Sequence, residues 1–508
     1  MSFDITIDGL PPASSTVTTL RFTTGLGGAD ASDNVWLPRV VTPGTFARHL
    51  WKPGATRGRG SVSYGVIELA NIDGALDYMA DWDFDGRALT VKRDGTTVFA
   101  GTMDTVLAGS RIVTVRMRDA AASIAAKLCM PTRYLGNNAL PAGVEGTATD
   151  LGGKCKPLLI GLCENFAPPR VNTSLNVYQI SAMEIYALYN VWSDGAAVTA
   201  GTAHATLAAL LAATPTAGTF DWCLGDDTTG EGAYFRLGSA PGSGVITAKA
   251  SQRSVPDTAH CALYLLTLAG VSPSDVLGVS ELYAHTNASI GFWCDTADHR
   301  VGDVLDALCA SVGASWAPTR AGKFQLMRFE VPTGIHVTEF YEWQLLGADA
   351  VQLLVTEDDG RGVPSYEIVV RYGRNWTVQA GTGVAGSVTE ARKAWLSQEY
   401  RAATQANTAI WDPATQTGRN PTSQPFGVTS LLANASAAQT EAYRTSLVYG
   451  TKRRYLAVVL PSSQCTAVDL SYEVSIETTR FGLAGVPLVV TGLVEDWASE
   501  TTTLYCWG

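Results

Sequence analysis

Charge is what this sequence has least of. Of 508 residues only 16% are Asp, Glu, Lys or Arg, against about 25% in soluble domains generally. Hydrophobic residues make up 46% and glycine alone contributes 50 residues. This excludes intrinsic disorder, which needs low hydrophobicity and high charge, and it points to surface that is covered by neighbouring chains. Long apolar runs are also missing: no window has 18 consecutive apolar residues, so no helix spans a membrane, and no stable membrane insertion is expected. The start, Met1-Ser2-Phe3-Asp4, lacks the basic and apolar regions of a secretory signal, which predicts synthesis in a cytoplasm. Basic charge is scarce as well. The net charge is −11, the opposite of the electrostatic footprint of a nucleic-acid binder. Among the cations Arg predominates over Lys, a bias suited to interfaces because the planar guanidinium pairs bidentately and is weakly hydrated.

Motifs of chemistry are absent too. No Walker-type phosphate loop occurs, and Gly25-Leu-Gly-Gly28 lacks the strand-then-helix setting that would give a Gly-rich stretch meaning. There is no G-x-S-x-G elbow and no H-E-x-x-H helix. The nine cysteines, at 129, 155, 163, 223, 261, 294, 309, 465 and 506, contain no C-x-x-C and read as buried thiols, with a metal or iron–sulfur site the alternative. Six histidines are scattered; His299 lies near Cys294, Asp295 and Asp298, which a loop and a helix N-terminus explain, with a metal site the alternative. The pairs Asp226-Asp227 and Asp358-Asp359 sit beside glycines and read as turns, against a glycosidase pair or Ca²⁺ ligands. The acidic run Asp77 to Asp85 lacks EF-hand spacing and reads as a solvated or interface loop. The sequence thus nominates no catalytic, cofactor-binding or metal residue and predicts a protein that is not an enzyme. Thirteen tryptophans, spread over every segment, suit cores and interface hot spots, with carbohydrate stacking a third use.

What is present is mostly β. Val17–Thr23, Ser61–Leu69 and Arg111–Met117 read as strands, and Asp94-Gly95 marks a hairpin between Thr90 and Ala100. Asp119 is placed to cap a helix over 120–128. Residues 131–153 read as a long ordered loop. Strands follow near 156–161, 177–180 and 185–192, with a turn at Asp194-Gly195. Helices are expected at 203–213, 258–269, 301–312 (capped by Asp298), 389–405 and 433–449. Hairpins are expected across 238–244 and 320–322. Strands close the chain at 366–372, 454–460, 469–476, 488–495 and 501–507. The fold class is therefore mainly β with inserted helices (α+β), multidomain. The expected division is 1–130, an N-terminal β-barrel-like domain; 131–200, a loop and the start of a second β domain; 201–340, an inserted α+β region; and 341–508, a C-terminal β domain completing the second barrel, with a helical insertion at about 389–450.

An ordered series of non-catalytic phrases adds to this. It runs from Gly65-Val-Ile-Glu-Leu-Ala-Asn71-Ile-Asp73-Gly74-Ala-Leu-Asp77 through Phe84-Asp85-Gly86-Arg87 and Arg118-Asp119. Arg133-Tyr134-Leu-Gly136, Glu145-Gly146 and Lys156-Pro157-Leu-Leu-Ile-Gly161 follow. Then come Asn165, Pro168-Pro169, Val177-Tyr178-Gln179, Phe235-Arg-Leu237, Pro241 and Ile246-Thr247. The series ends with Thr479-Arg480-Phe-Gly-Leu, Val490-Thr-Gly492 and Leu504-Tyr-Cys-Trp-Gly508. From about residue 35 to 508 it resembles the tail-tip or baseplate hub proteins of long-tailed, non-contractile bacteriophages and of gene transfer agents; the stretch 394–450 matches nothing in that pattern.

The resemblance implies a structural virion protein related to the trimeric hub of contractile tails. Two β-barrel-like hub domains per chain would build a homotrimeric, pseudo-sixfold ring at the virion tail tip, assembled in the bacterial host cytoplasm. The ring would continue the tail channel and join the distal tail protein to a central fibre or spike protein and other tail-tip proteins, with DNA only as passing cargo. Some members of that family hold an iron–sulfur cluster through cysteines; the cysteines here show no matching spacing. The surplus acids would face solvent or passing DNA, since a basic lumen would retain phosphates. The rival readings are a receptor- or carbohydrate-binding tail protein and a tail-associated cell-wall hydrolase.

Overall fold

The computed structural model describes residues 2–51, 60–118, 120–138, 143–242, 244–335, 337–347, 349–355 and 362–508. The expected Asp119 cap, the Asp358-Asp359 pair and His336 lie outside the described residues. The protein is mainly β, with two curled half-barrel sheets. Among the described residues seven α-helices occur: α1 (Ala120–Ala125), α2 (Leu207–Ala212), α3 (Thr258–Leu268), α4 (Val279–His285), α5 (Val301–Ala310), α6 (Glu390–Leu396) and α7 (Ala435–Tyr449).

The N-terminal sheet has seven strands, ordered Thr18–Thr23, Phe3–Gly9, Ala88–Arg93, Thr96–Ala108, Ile112–Arg118, Val66–Ala70 and Val40–Thr42. Period-two alternation builds it. In Phe3–Gly9 every second residue is buried, which puts Phe3, Ile5 and Ile7 into a core with Phe22, Leu69, Val91 and Val115. The hairpin at Asp94-Gly95 forms as its sequence requires, with both residues at positive φ (45° and 83°) in the turn geometry that matches strand twist.

The C-terminal sheet has eight strands. Its main path runs Thr338–Tyr341, Glu473–Glu477, Pro487–Asp496, Thr501–Trp507, Tyr455–Pro461, Val351–Leu354. The remaining two, Thr45–His49 and Ser61–Tyr64, come from the N-terminal part of the chain, Thr45–His49 pairing antiparallel with Pro487–Asp496. Two segments therefore serve both sheets: Val40–Thr42 continues into Thr45–His49, and Ser61–Tyr64 into Val66–Ala70. Glycines stand at both bends. Gly44 has φ +104°, and a Cβ on Gly65 would lie 2.4 Å from Thr45 Oγ1. In return Trp497, just past the strand Pro487–Asp496, is buried in the N-terminal core beside Phe3 and Phe46, ring centroids 6.0 and 6.2 Å away.

A buried charge network closes this junction. Arg48, 1% exposed, pairs with Asp469 and donates to Pro318 O (3.2 Å). Arg320 pairs with Glu495, its Nε donating to Oε1 at 2.9 Å, and also reaches Val468 O (3.3 Å). Trp497 Nε1 donates to the other Glu495 oxygen at 3.0 Å. Two cations thus face two anions with their lone pairs and protons largely used, the condition under which buried charge is tolerated. Next to Arg48, His49 packs against Tyr505 with the rings tilted and their centroids 5.1 Å apart, in space that only a glycine leaves open: a Cβ on Gly492 would lie 2.1 Å from His49 Nδ1.

Between these sheets in sequence lie two five-stranded sheets. One orders Ala196–Ala197, Ala187–Ser193, Ile246–Ser251, Leu158–Phe166, Gly291–Cys294; the other Arg170–Asn172, Val177–Ser181, Ala233–Leu237, Thr219–Cys223, Thr199–Ala203. Helices α1, α3, α5 and α7 share one further apolar core with the strands Glu367–Tyr372 and Phe324–Arg328.

Four expectations need correction. Ala233–Leu237 and Ile246–Ser251 are not a hairpin: they belong to different five-stranded sheets, and the connection carries the chain from one to the other. The helix expected over 389–405 stops at Leu396, and Arg401–Ala406 is a strand paired with Glu367–Tyr372; its residues are compatible with a helix, and cross-strand pairing decides. Ala203 ends an edge strand rather than starting a helix, α2 beginning after its Thr206 cap. Asp298 does not cap α5, whose N-cap is Arg300 with no side-chain bond. The hairpin Ala314–Pro318/Phe324–Arg328 forms as expected.

Replacing Arg48 by Met leaves Asp469 buried against the junction without its main partner and is expected to lower stability by about 3–5 kcal/mol, read from urea denaturation. His49 supplies a pH dependence. Burial pulls its imidazole from 6.5 to about 4, so between these values the unfolded chain binds more protons than the folded one. The stability gained, about 3 kcal/mol, is fully present above pH 6.5 and is lost as pH falls through about 4. His49→Gln is expected to flatten the urea midpoint across that window.

Candidate functional site

The groups most able to do chemistry are each held by a structural partner. His204 Nε2 lies 3.0 Å from Asp221 Oδ2, and His260 Nδ1 lies 2.6 Å from Asp257 Oδ2, while Asp257 also caps α3 through His260 N (3.1 Å). His299 Nε2 sits 2.8 Å from Asp295 Oδ1, but the other residues of that sequence cluster point elsewhere. Asp298 binds Arg133 (2.9 Å) and accepts from Cys155 Sγ (3.2 Å), and Cys294 is buried in the helical core. Asp226 accepts from Thr228 N (2.8 Å) and Asp227 from Glu184 N (2.8 Å), each in a turn; the Thr228 hydroxyl and amide hold the Asp226 carboxyl below the usual range.

The acidic run is likewise dispersed. Asp77 accepts from Asn71 Nδ2 (2.8 Å), Asp83 pairs through its backbone with Leu10 (3.0 Å), and Asp85 lies 3.4 Å from Arg118. Among the described residues no three His, Cys, Asp or Glu side chains converge as metal ligands. All nine cysteines are free and buried. Cys129 and Cys294 share a thiol hydrogen bond that, with burial, pushes the Cys294 thiol well up, and burial pushes Cys155 up to about 11. An iron–sulfur cluster needs several converging thiolates, and among the described residues no three such ligands meet.

The phrases that carry the family resemblance do come together. Tyr134, 2% exposed, donates its hydroxyl to Gln179 Oε1, and Gln179 Nε2 donates to Tyr234 OH at 2.9 Å. Burial pushes both phenols up, so they act as hydrogen-bonding groups. Beside them Glu145 accepts from Lys156 Nζ (2.7 Å) and from Leu135 N (2.9 Å). A second knot centres on Asn165, fully buried and at φ +59°. Its Nδ2 donates to Asn375 Oδ1 (2.8 Å) and Thr377 O (2.7 Å), Thr247 Oγ1 donates to its Oδ1 (2.8 Å), and Asn375 Nδ2 continues to Leu396 O (2.8 Å). A third is Asn71, also fully buried, which holds Asp77 and Gly109 O (2.9 Å) and accepts from Leu76 N (2.8 Å). Arg39 locks the same turn through Asp73 (2.7 Å). These groups staple loops to sheets.

The surface that is left unused is apolar. Within 335–355, Ile335, Tyr341, Trp343, Leu346, Leu353 and Val355 are exposed, Trp343 at 79%. Trp343 is the one exposed tryptophan of the thirteen. This stretch carries both edge strands of the C-terminal sheet path, Thr338–Tyr341 and Val351–Leu354, whose open edges present unpaired backbone groups. Sequence reasoning counted Trp343 only as one of many. The signal that marks it is its place in Tyr341-Glu-Trp-Gln-Leu-Leu346, where apolar side chains crowd a short link between two edge strands.

No family model matches the chain, and no curated protein aligns with it. Among solved structures it is similar to the 43 kDa tail protein of prophage MuSo2 from Shewanella oneidensis (9% identity, 99% of this chain and 96% of that one, TM-score 0.42). It is also similar to the tail protein from Neisseria meningitidis MC58 (10%, 92% and 91%, TM-score 0.42), and to a chain of the native gene transfer agent virion (13%, 70% and 85%, TM-score 0.45). At TM-scores below 0.5 these likenesses carry no argument about function.

Asn165→Ala leaves the Thr377 carbonyl without its donor and the buried Thr247 hydroxyl without its acceptor, each buried unsatisfied group costing about 1–3 kcal/mol. A destabilisation of about 2–4 kcal/mol is expected on that basis, measured by chemical denaturation.

Proposed function

We propose that this chain is a structural protein of a phage-type virion, a hub at the tail tip. Copies of it, three by family resemblance, form a ring that continues the tail channel and joins the distal tail protein to the central fibre or spike, letting DNA pass. The observation that carries this reading is the use to which the resemblance-bearing residues are put. Tyr134, Glu145, Lys156, Asn165 and Gln179 are spent on holding sheets and loops together. That is the economy of a scaffold, whereas a catalyst needs convergent groups in a pocket with displaced pKa values.

The apolar stretch 335–355 and the low charge of the chain are what an assembled subunit needs. Obligate interfaces are more apolar than ordinary surface, and Trp is favoured among the residues that dominate binding energy. On this reading the domain division given above describes two β-barrel-like parts that share strands at Gly44 and Gly65, with α/β segments inserted between them.

The test is association. Sedimentation of the full chain is expected to show concentration-dependent oligomers. Trp343→Ser is expected to weaken them by about 2 kcal/mol or more, the scale of an interface hot spot, while leaving the melting temperature of the dissociated chain unchanged. Unaltered association in Trp343→Ser, or a chain that stays monomeric at all concentrations, contradicts the proposal.

A further inference from the structure

In a chain of net charge −11, one place gathers cations around a cavity. It has a volume of about 210 Å³ and is lined by Lys249, Arg374, Arg401, Trp376 and Trp395, with one carboxylate, Glu164. Its wall and the layer behind it form a ladder of guanidinium and indole planes. Arg392 lies 4.4 Å from the Trp192 ring centroid and 4.3 Å from that of Trp395, and Arg401 covers Trp395 at 3.9 Å. Arg374 stacks on Trp376 at 3.9 Å.

Three of these four cations have hydrogen-bonded partners, although Arg392 Nε and Nη2 and Arg401 Nε stay buried without one. Lys249 Nζ and Arg392 Nη1 donate to the two oxygens of Glu164, both at 2.9 Å. Arg401 donates to the carbonyls of Gly373 and Trp395. Arg374 is held least: among the described residues its guanidinium makes no hydrogen bond, its Nε is buried without a hydrogen-bond partner, and its ion pair with Glu399 is long, at 3.8 Å. Of the other acids nearby, Glu164 is neutralised by Lys249 and Arg392 and Asp295 is held by His299 at 2.8 Å. The N-terminus of α7, a 15-residue helix, opens on the same cavity through Ala433 and its Asn434 cap, adding the positive end of a helix dipole.

The size and the stacking decide the ligand class. Drug-sized ligands occupy about 300–1,000 Å³, so the cavity suits a compact ion. Both indoles that line the cavity are already stacked by guanidinium groups, Trp395 by Arg392 and Arg401 and Trp376 by Arg374, which disfavours a sugar. A planar fork with its donors unused matches oxyanion geometry.

We propose that this cavity binds a tetrahedral oxyanion of the phosphate type, with Arg374 as the principal donor and Lys249 and the α7 N-terminus as supporting positive charge. The site does not depend on the tail-tip reading. It would serve equally for a free anion and for a phosphate carried on a larger molecule.

Calorimetric titration of the full chain tests it, with inorganic phosphate and with the phosphodiester glycerophosphoglycerol as probes and sodium chloride of equal ionic strength as the control. Saturable binding of at least one probe is expected, with no signal from chloride. Tighter binding of the diester assigns the site to phosphate within a larger molecule, and tighter binding of phosphate assigns it to the free ion. Arg374→Gln is expected to weaken binding about tenfold or more, as loss of a charge-assisted contact does, without lowering the unliganded melting temperature. Equal affinity in wild type and Arg374→Gln, or no difference between either probe and chloride, overturns the proposal. Should Arg374→Gln fail to fold, the wild-type comparison of phosphate, diester and chloride decides it alone.

Discussion

The fold depends on one shared strand. Thr45–His49 leaves the N-terminal sheet at Gly44 and pairs residue by residue with the strand that ends at Asp496. Neither curled sheet is complete without the other's chain: the C-terminal sheet borrows Thr45–His49 and Ser61–Tyr64, and the N-terminal core borrows Trp497. Backbone pairing alone would allow the strand to slip, and a slip of one residue would turn each side chain to the wrong face. The Arg48–Asp469 and Arg320–Glu495 pairs remove that freedom, because only one register brings Arg48 to Asp469 and leaves His49 the space over Gly492. Buried charge is weak as a source of stability, and fixing register is among its best-attested uses. Here it sets how two half-barrels meet.

The same logic runs through the middle of the chain. Asn71, Asn165 and Gln179 are fully or almost fully buried amides, and each joins backbone or side chains far apart in sequence. Buried polar knots of this kind are costly when incomplete and specifying when complete. They make loops behave as parts of a rigid body. A rigid body with an unsatisfied apolar strip along 335–355 is what a ring subunit requires, since closed assemblies rest on matched surfaces held at a fixed angle. Chemistry would require the reverse, a few polar groups left unsatisfied in a pocket. Among the described residues unpartnered donors gather around the cavity of Arg374, where Arg392 and Arg401 also keep buried nitrogens without partners.

Much of the fold was legible in the sequence because local patterns and tertiary demands agreed there. Alternation placed Arg111–Met117, and the Asp94-Gly95 turn fixed its hairpin. The spacing of Val301, Val304, Leu305 and Leu308 placed α5, all four of which are buried. Where the two disagreed, the pattern failed. Arg401–Ala406 carries no strand signal and becomes one only because Glu367–Tyr372 offers an edge. Ala233–Leu237 and Ile246–Ser251 looked like a hairpin because sequence shows proximity and not sheet membership. Asp298 stood where a cap belongs, but Arg133 and Cys155, over a hundred residues upstream, claim it. The candidate sites followed the same rule. The quoted phrases marked residues that matter, and only the geometry revealed that they matter as staples. Neither Trp343 nor Arg374 stood out, because exposure and an unused donor are properties of the folded surroundings.

The central claim is that this chain is a scaffold placed at the end of a virion tail. The most direct measurement is the position of the chain in the particle, obtained by immunogold electron microscopy of purified virions with antibodies raised against the full-length protein. The account predicts gold at the tail tip, at the end away from the capsid. Gold on the capsid, gold spread along the tube, or particles that carry none of the chain would contradict it.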